Sequence, residues 1–137
     1  MHPKTILVVE DEQDIAELLI HLLTTEGFEV AHAADGKLAF EFLSNNAVDL
    51  VLTDIMMPRM DGLQLVEAIR NKLHLMTLPI LVHSALSETI ARATGKRFDA
   101  YVQKPCRGSD LVAHVRRVLN NPLSEDEVEA HPRSTPL

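Results

Sequence analysis

Five short strand-like runs punctuate this chain, and taken together they are too apolar to leave either face of a sheet in water. They are "TILVVE" (5–10), "FEVAHA" (28–33), "VDLVLTD" (48–54), "LPILVHSA" (78–85) and "AYVQK" (100–104). Between them lie stretches with helical spacing. Ile15, Leu18, Leu19, Leu22 and Leu23 mark a first helix that Gly27 stops, and residues 35–46 a second, with Leu38 and Phe42 one turn apart. Leu63, Val66 and Ile69 follow the Pro58 and Gly62 breaks, "SETIARATG" (87–95) is short, and Leu111, Val115, Val118 and Leu119 line a last helix that Ser109 could cap. Strand and helix alternate five times, which predicts an α/β fold: a doubly wound, five-stranded parallel sheet with helices on both faces.

One domain suffices for 137 residues, and it is expected over residues 1–121. Residues 122–137 hold three prolines and four acids against one arginine, and read as a flexible tail or linker. The net charge of -7 argues against direct nucleic acid binding. The apolar runs fall far short of the roughly 20 residues that span a bilayer, and the start of the chain lacks a signal peptide's pattern, so a cytoplasmic protein without membrane contact is expected. The lone Cys106 rules out an internal disulfide and carries no redox motif.

In a sheet of this kind ligands sit beyond the carboxyl ends of the strands. Those ends carry Glu10 and Asp11 on the first, Asp54 on the third, Ser84 on the fourth and Lys104 on the fifth. Three carboxylates within ~4 Å repel by about 4 kcal/mol per pair at an effective dielectric of 20, so the cluster calls for a cation. Oxygen donors without cysteine or clustered histidine favour Mg²⁺, with Mn²⁺ as a substitute. Lys104 offsets part of the charge and can hold a phosphoryl oxygen, Ser84 can donate to another, and Asp54 is then a carboxylate nucleophile able to form an aspartyl phosphate.

These segments resemble the receiver domain of two-component response regulators over roughly residues 4–120. "ILVVEDE" is similar to the family's acidic-pair strand, "TDIMMPRMDG" to its phosphoacceptor segment, "HSA" to its switch-hydroxyl strand and "QKP" to its lysine-proline element. The resemblance implies a flavodoxin-like sheet of strand order 2-1-3-4-5, phosphorylation of Asp54 by a histidine kinase or phosphotransfer protein, and Mg²⁺ held by Asp11, Asp54 and the backbone carbonyl of Met56, with Glu10 assisting through water. It also implies a switch pair of Ser84 and Tyr101, a cis bond before Pro105, and a signalling face of fourth helix, fifth strand and fifth helix that regulates a downstream protein or output domain, or pairs with a second copy. Such a receiver catalyses only its own phosphorylation and dephosphorylation. The chain departs from the family pattern where Glu10 replaces a second aspartate, where Cys106 replaces a phenylalanine, and in a short fourth helix followed by Lys96 and Arg97.

Blander readings stand beside these. Glu10 and Asp11, or Asp14, could cap the first helix; Tyr101 could be a half-buried strand aromatic; His83 is expected to be structural, Cys106 a small buried hydrophobe, Met56, Met57 and Met60 loop anchors, and Arg116 and Arg117 a solvated face. A phosphohydrolase resembling the haloacid dehalogenase group, which also uses an aspartyl phosphate, would be expected to carry its nucleophile on the first strand rather than the third. A flavin carrier would need small hydroxyl and glycine residues where "VVEDEQD" stands. A receiver-like module that signals without phosphorylation, and a stand-alone protein versus part of a larger one, stay open.

Overall fold

The computed structural model describes residues 2–120, so the expected tail at 122–137 lies outside the described residues. The elements are β1 (Thr5–Val9), α1 (Gln13–Thr25), β2 (Glu29–Ala33), α2 (Gly36–Asn45), β3 (Leu50–Thr53), α3 (Gly62–Asn71), β4 (Ile80–Ser84), α4 (Glu88–Ala93), β5 (Ala100–Gln103) and α5 (Gly108–Asn120). The strands form one parallel sheet in the order β2-β1-β3-β4-β5. The doubly wound, flavodoxin-like arrangement expected from the sequence is the one observed.

Alternation of side chains across the sheet divides the core in two. Leu7, Val9, Val51, Ile80 and Val82 point to the face covered by α2, α3 and α4, where Ala39, Leu43, Leu65, Val66 and Ala91 meet them. Ile6, Val8, Leu50, Leu52 and Leu81 point to the other, against Leu19 and Leu23 of α1 and Leu111, Val115 and Val118 of α5. Every residue of β3 is buried. With each large aliphatic side chain contributing about 1.5–3 kcal/mol on burial, the central strands are the most firmly held part of the chain.

Some expectations need correction. Leu18 is 66% exposed, because the stripe of α1 that meets the sheet runs through Ala16, Leu19 and Leu23, and Leu18 is rotated about 100° from Leu19. Leu38 is likewise 41% exposed; Ala39 and Leu43 form the inner stripe of α2. Ser109 does not cap α5, which starts at Gly108, so that the Arg107 carbonyl already accepts the amides of Asp110 and Leu111. Arg116 is more than a solvated residue: its guanidinium bonds the carbonyl and carboxylate of Glu26 at 3.1 and 3.0 Å and lies 5.1 Å from the Phe28 ring, tying α5 to the end of α1. Gly27, at φ +96°, follows α1 as expected.

Candidate functional site

The strands stop one residue earlier than their apolar runs suggest. β1 ends at Val9, β3 at Thr53 and β5 at Gln103, so Glu10, Asp54 and Lys104 each lie just past a strand, while Ser84 is the last residue of β4. Each is nonetheless fixed by its neighbours' backbone: the amide of Glu10 donates to Ala33, that of Asp54 to Val9, and that of Lys104 to Ser84. The His32 imidazole also bonds the Glu10 carbonyl at 2.9 Å.

Three acids and an ammonium converge there. Glu10, Asp11 and Asp54 offer carboxylate oxygens that all lie within 4.8 Å of one another. Lys104 Nζ donates to Asp54 Oδ2 at 2.9 Å and to Glu10 Oε1 at 3.3 Å. Asp54 Oδ1 accepts the Ile55 amide at 2.6 Å, and Glu10 Oε2 accepts that of Glu12 at 3.3 Å. Glu10 is 2% exposed and Asp54 8%, whereas Asp11 is exposed and opens the cluster to solvent. Glu10 therefore also holds the N-cap residue of α1, close to the helix-start role weighed for it; Asp14 lies in the first turn, and the Glu12 side chain makes no capping bond.

The electrostatics follow from burial and pairing. Burial raises the Glu10 acid above the ordinary carboxylate value against the opposing pull of Lys104. For Lys104 burial acts downward, but the hydrogen bond and charge of Asp54, with Glu10, outweigh it and raise the ammonium above its usual value. One ammonium set among three carboxylates leaves a net negative site. Hard oxygen donors so disposed suit a hard divalent cation, with Glu10, Asp11 and Asp54 as the side chains able to hold it.

A close backbone approach shapes the loop after Asp54. A Cβ on Gly62 would stand 1.9 Å from the Asp54 carbonyl oxygen, so only glycine lets α3 begin there. The Gly62 amide closes the loop on Ile55 at 2.9 Å, and Asp61 and Gln64 form a capping box at the start of α3. Met57 and Met60 pack on the core as anchors; Met56 does not, its side chain being 65% exposed.

Ser84 and Tyr101 lie on the neighbouring strands β4 and β5. Ser84 is fully buried, and its hydroxyl accepts the Leu86 amide at 3.3 Å. Tyr101 is buried rather than half-buried, at 8% exposure; its hydroxyl donates to the Leu86 carbonyl, and its ring lies 5.8 Å from that of Phe98. Leu86 thus joins the two through its two backbone groups. Lys104-Pro105 is cis, as expected. His83 points to the opposite face from Ser84, with Nε2 3.5 Å from Cys106 Sγ; burial, aided by the Lys104 charge, lowers it to about 4, so it is neutral at pH 7. Cys106 is half-buried against the α5 face, and burial raises its thiol.

Among the ion pairs that sequence reasoning missed, two rest on a buried side chain. Asp35, past the end of β2, caps α2 through the Leu38 amide and accepts Arg59 at 2.8 Å. The signal was present in "DG" at a strand end, where the other acids were found. Arg70, 3% exposed, meets Asp99 at 2.9 Å, and no sequence pattern pairs residues 29 positions apart.

Comparison with known proteins gives one consistent result. The model of the response regulator receiver domain matches residues 6–116. Regulatory protein VanRc of Enterococcus gallinarum is 39% identical over 116 residues, covering 83% of this chain and 49% of that protein. The transcriptional regulatory protein YcbL of Bacillus subtilis is 36% identical over 115 residues, covering 82% and 50%. The chain thus spans about half the length of the curated relatives it matches. Among solved structures, a response regulator from Chloroflexus aurantiacus is similar with a TM-score of 0.81 at 31% identity, covering 88% of this chain and all of that one. The signal receiver domain of a histidine kinase from Syntrophus aciditrophicus has a TM-score of 0.78 at 31% identity, covering 98% and 96%.

Proposed function

The chain belongs to the response regulator receiver domain family, and from that premise we propose that Asp54 is its phosphoacceptor, with Lys104 and Ser84 as donors to the oxygens of the transferred group. The observation that carries this reading is the position of Lys104 Nζ, bonded at once to Asp54 and Glu10 at the open edge of three clustered carboxylates. A carboxylate oxygen of Asp54 attacks phosphorus; the bond from phosphorus to the donor's imidazole nitrogen breaks, and that nitrogen keeps the electron pair. The Lys104 ammonium then faces the charge that spreads over the phosphoryl oxygens, and the Ser84 hydroxyl supplies a further donor.

Mg²⁺, or Mn²⁺ in its stead, would be held by Asp11, Asp54 and the Met56 carbonyl, with Glu10 acting through water. When bound it supplies charge neutralisation for the incoming dianionic group. A receiver domain of a sensor histidine kinase from Pseudomonas aeruginosa, similar in fold at 24% identity, is described with magnesium in its active site cleft. The donors are a histidine kinase or phosphotransfer protein, and the chain catalyses no reaction beyond gaining and losing its own phosphoryl group. The output is read through α4, β5 and α5 by a partner, an output domain or a second copy; on α4 the Ile90 side chain is 60% exposed.

Tyr101 modifies the expected switch. Its inward position leaves no swing from solvent to be driven, so phosphorylation acts by drawing Ser84 away from the Leu86 amide and resetting the Leu86 backbone that Tyr101 also holds. Moving such a balance from 1:99 to 99:1 takes about 5.5 kcal/mol, much of which two charge-assisted hydrogen bonds at roughly 1.5–3 kcal/mol each supply, with packing adding to them.

The test is intact mass after incubation with acetyl phosphate and Mg²⁺, with and without EDTA. A single phosphoryl gain that needs Mg²⁺ and is lost in Asp54→Asn is expected. Undiminished labelling of Asp54→Asn would overturn the assignment of the nucleophile, and no labelling of the wild type would favour a receiver that signals without phosphorylation.

A further inference from the structure

Residues 55–61 carry the Met56 carbonyl and form one wall of the proposed metal site, yet no regular element includes them. Their base is closed by the Gly62 amide on Ile55, and their middle touches the body through the Gly36 amide, which donates to the Met60 carbonyl at 3.0 Å. Beside the apolar anchors Met57 and Met60, Arg59 supplies a charged tie. Its guanidinium bonds Asp35 Oδ2 at 2.8 Å through both Nε and Nη2, while Asp35 Oδ1 accepts the Leu38 amide at 2.9 Å.

The two partners differ in setting. Asp35 is 6% exposed and fixed by its capping role, so its second oxygen faces the loop from a rigid base; the Arg59 side chain is half exposed. The backbone of Arg59 is left-handed, at φ 67°, a conformation a non-glycine residue adopts only when its surroundings hold it there. A strained backbone and a forked bond to a buried carboxylate thus coincide three residues after Met56.

We propose that the Arg59–Asp35 pair is a latch that holds residues 55–61 in the shape that presents the Met56 carbonyl to a divalent cation, which makes Arg59 a positioning residue for metal binding. The proposal rests on the reading of Glu10, Asp11, Asp54 and Met56 as the metal's ligands. Arg59 touches none of them; it acts through the loop backbone. The latch also joins the start of α2 to the phosphoacceptor loop, so a partner that displaces α2 would alter metal affinity at Asp54.

Arg59→Asn is the sharpest variant, since asparagine accepts the left-handed backbone readily and any loss reports the ion pair rather than strain. Asp35→Asn is the second, because asparagine still caps α2 while giving up the charge. Mg²⁺ affinity is measured by calorimetry on wild type, both variants and their double variant, with amide hydrogen exchange across residues 55–61. Each single variant is expected to weaken Mg²⁺ roughly tenfold, the low end of the range for outer partners of metal ligands. The double variant should lose no more than either single one, and exchange should quicken in the loop without quickening in β3. A wild type that binds Mg²⁺ with variants that bind it equally well overturns the latch and leaves the site reading intact. A wild type that binds no Mg²⁺ overturns the site reading, and unchanged loop exchange in Arg59→Asn then overturns the latch as well.

Discussion

Acidification should weaken the fold through His83, and the size of the effect follows from its surroundings. The imidazole is buried, and its pKa falls from 6.5 to about 4, first because burial penalises the cation and then because Lys104 repels it. The folded protein therefore holds fewer protons at this residue than the unfolded chain between those two pH values. Stability from this source is complete above pH 6.5 and is lost as pH falls toward 4. The full shift corresponds to about 3 kcal/mol, and about 2 kcal/mol of it is gone by pH 5. Replacement by valine, a strand-forming residue on a strand whose inner positions are aliphatic, removes the titration. Urea unfolding followed by far-ultraviolet circular dichroism suits a chain with no tryptophan. Between pH 7.5 and pH 5 the wild type should lose about 2 kcal/mol more than His83→Val, the other titrations being common to both. Parallel stability curves for the two proteins would refute the reasoning, for they would mean that the imidazole takes its proton without cost in the folded state.

Lys104→Met should separate metal binding from phosphoryl transfer. Without the ammonium the three carboxylates repel more strongly, so Mg²⁺ affinity by calorimetry should rise several-fold while labelling by acetyl phosphate slows by at least about tenfold; a parallel fall in both would contradict the division of roles. Arg70→Met should cost about 3–5 kcal/mol in denaturant unfolding, since the Asp99 carboxylate and the carbonyls of Leu75, Leu78 and Arg97 would lose the buried guanidinium that joins them; a loss under about 1 kcal/mol would show the pair to be incidental.

The strands were legible because buried parallel strands leave little choice of residue: "VDLVLTD" and "LPILVHSA" admit few other readings, whereas their order was implied by the family resemblance alone. The polar residues at their ends were legible for the complementary reason, that Glu10, Asp54 and Lys104 interrupt those runs. Helix faces were less so. Leu18 and Leu38 satisfy the helical period as well as their buried neighbours, and only the sheet's position decides which flank turns inward. Arg59 and Asp35 escaped notice because the loop geometry that joins them is set by Gly36, Met60 and Gly62 together, not by local pattern. The inward pose of Tyr101 depends on the Leu86 carbonyl, which is free to accept only because the chain leaves β4 at Ser84.

Asp99 Oδ2 accepts both the Ile80 amide, where β4 begins, and Arg70, whose other nitrogens bond the carbonyls of Leu75, Leu78 and Arg97. Two neighbouring strands are thus riveted by side chains at their entry, while at their exit, where Ser84 and Lys104 stand, the Lys104 amide on the Ser84 carbonyl joins them. Such a pair behaves as a cantilever: force applied at the joined tips displaces both together, while the clamped root stays still. For α4, whose preceding turn springs from one tip, the rivet fixes a fulcrum, so that a displacement at that tip is carried toward the helix.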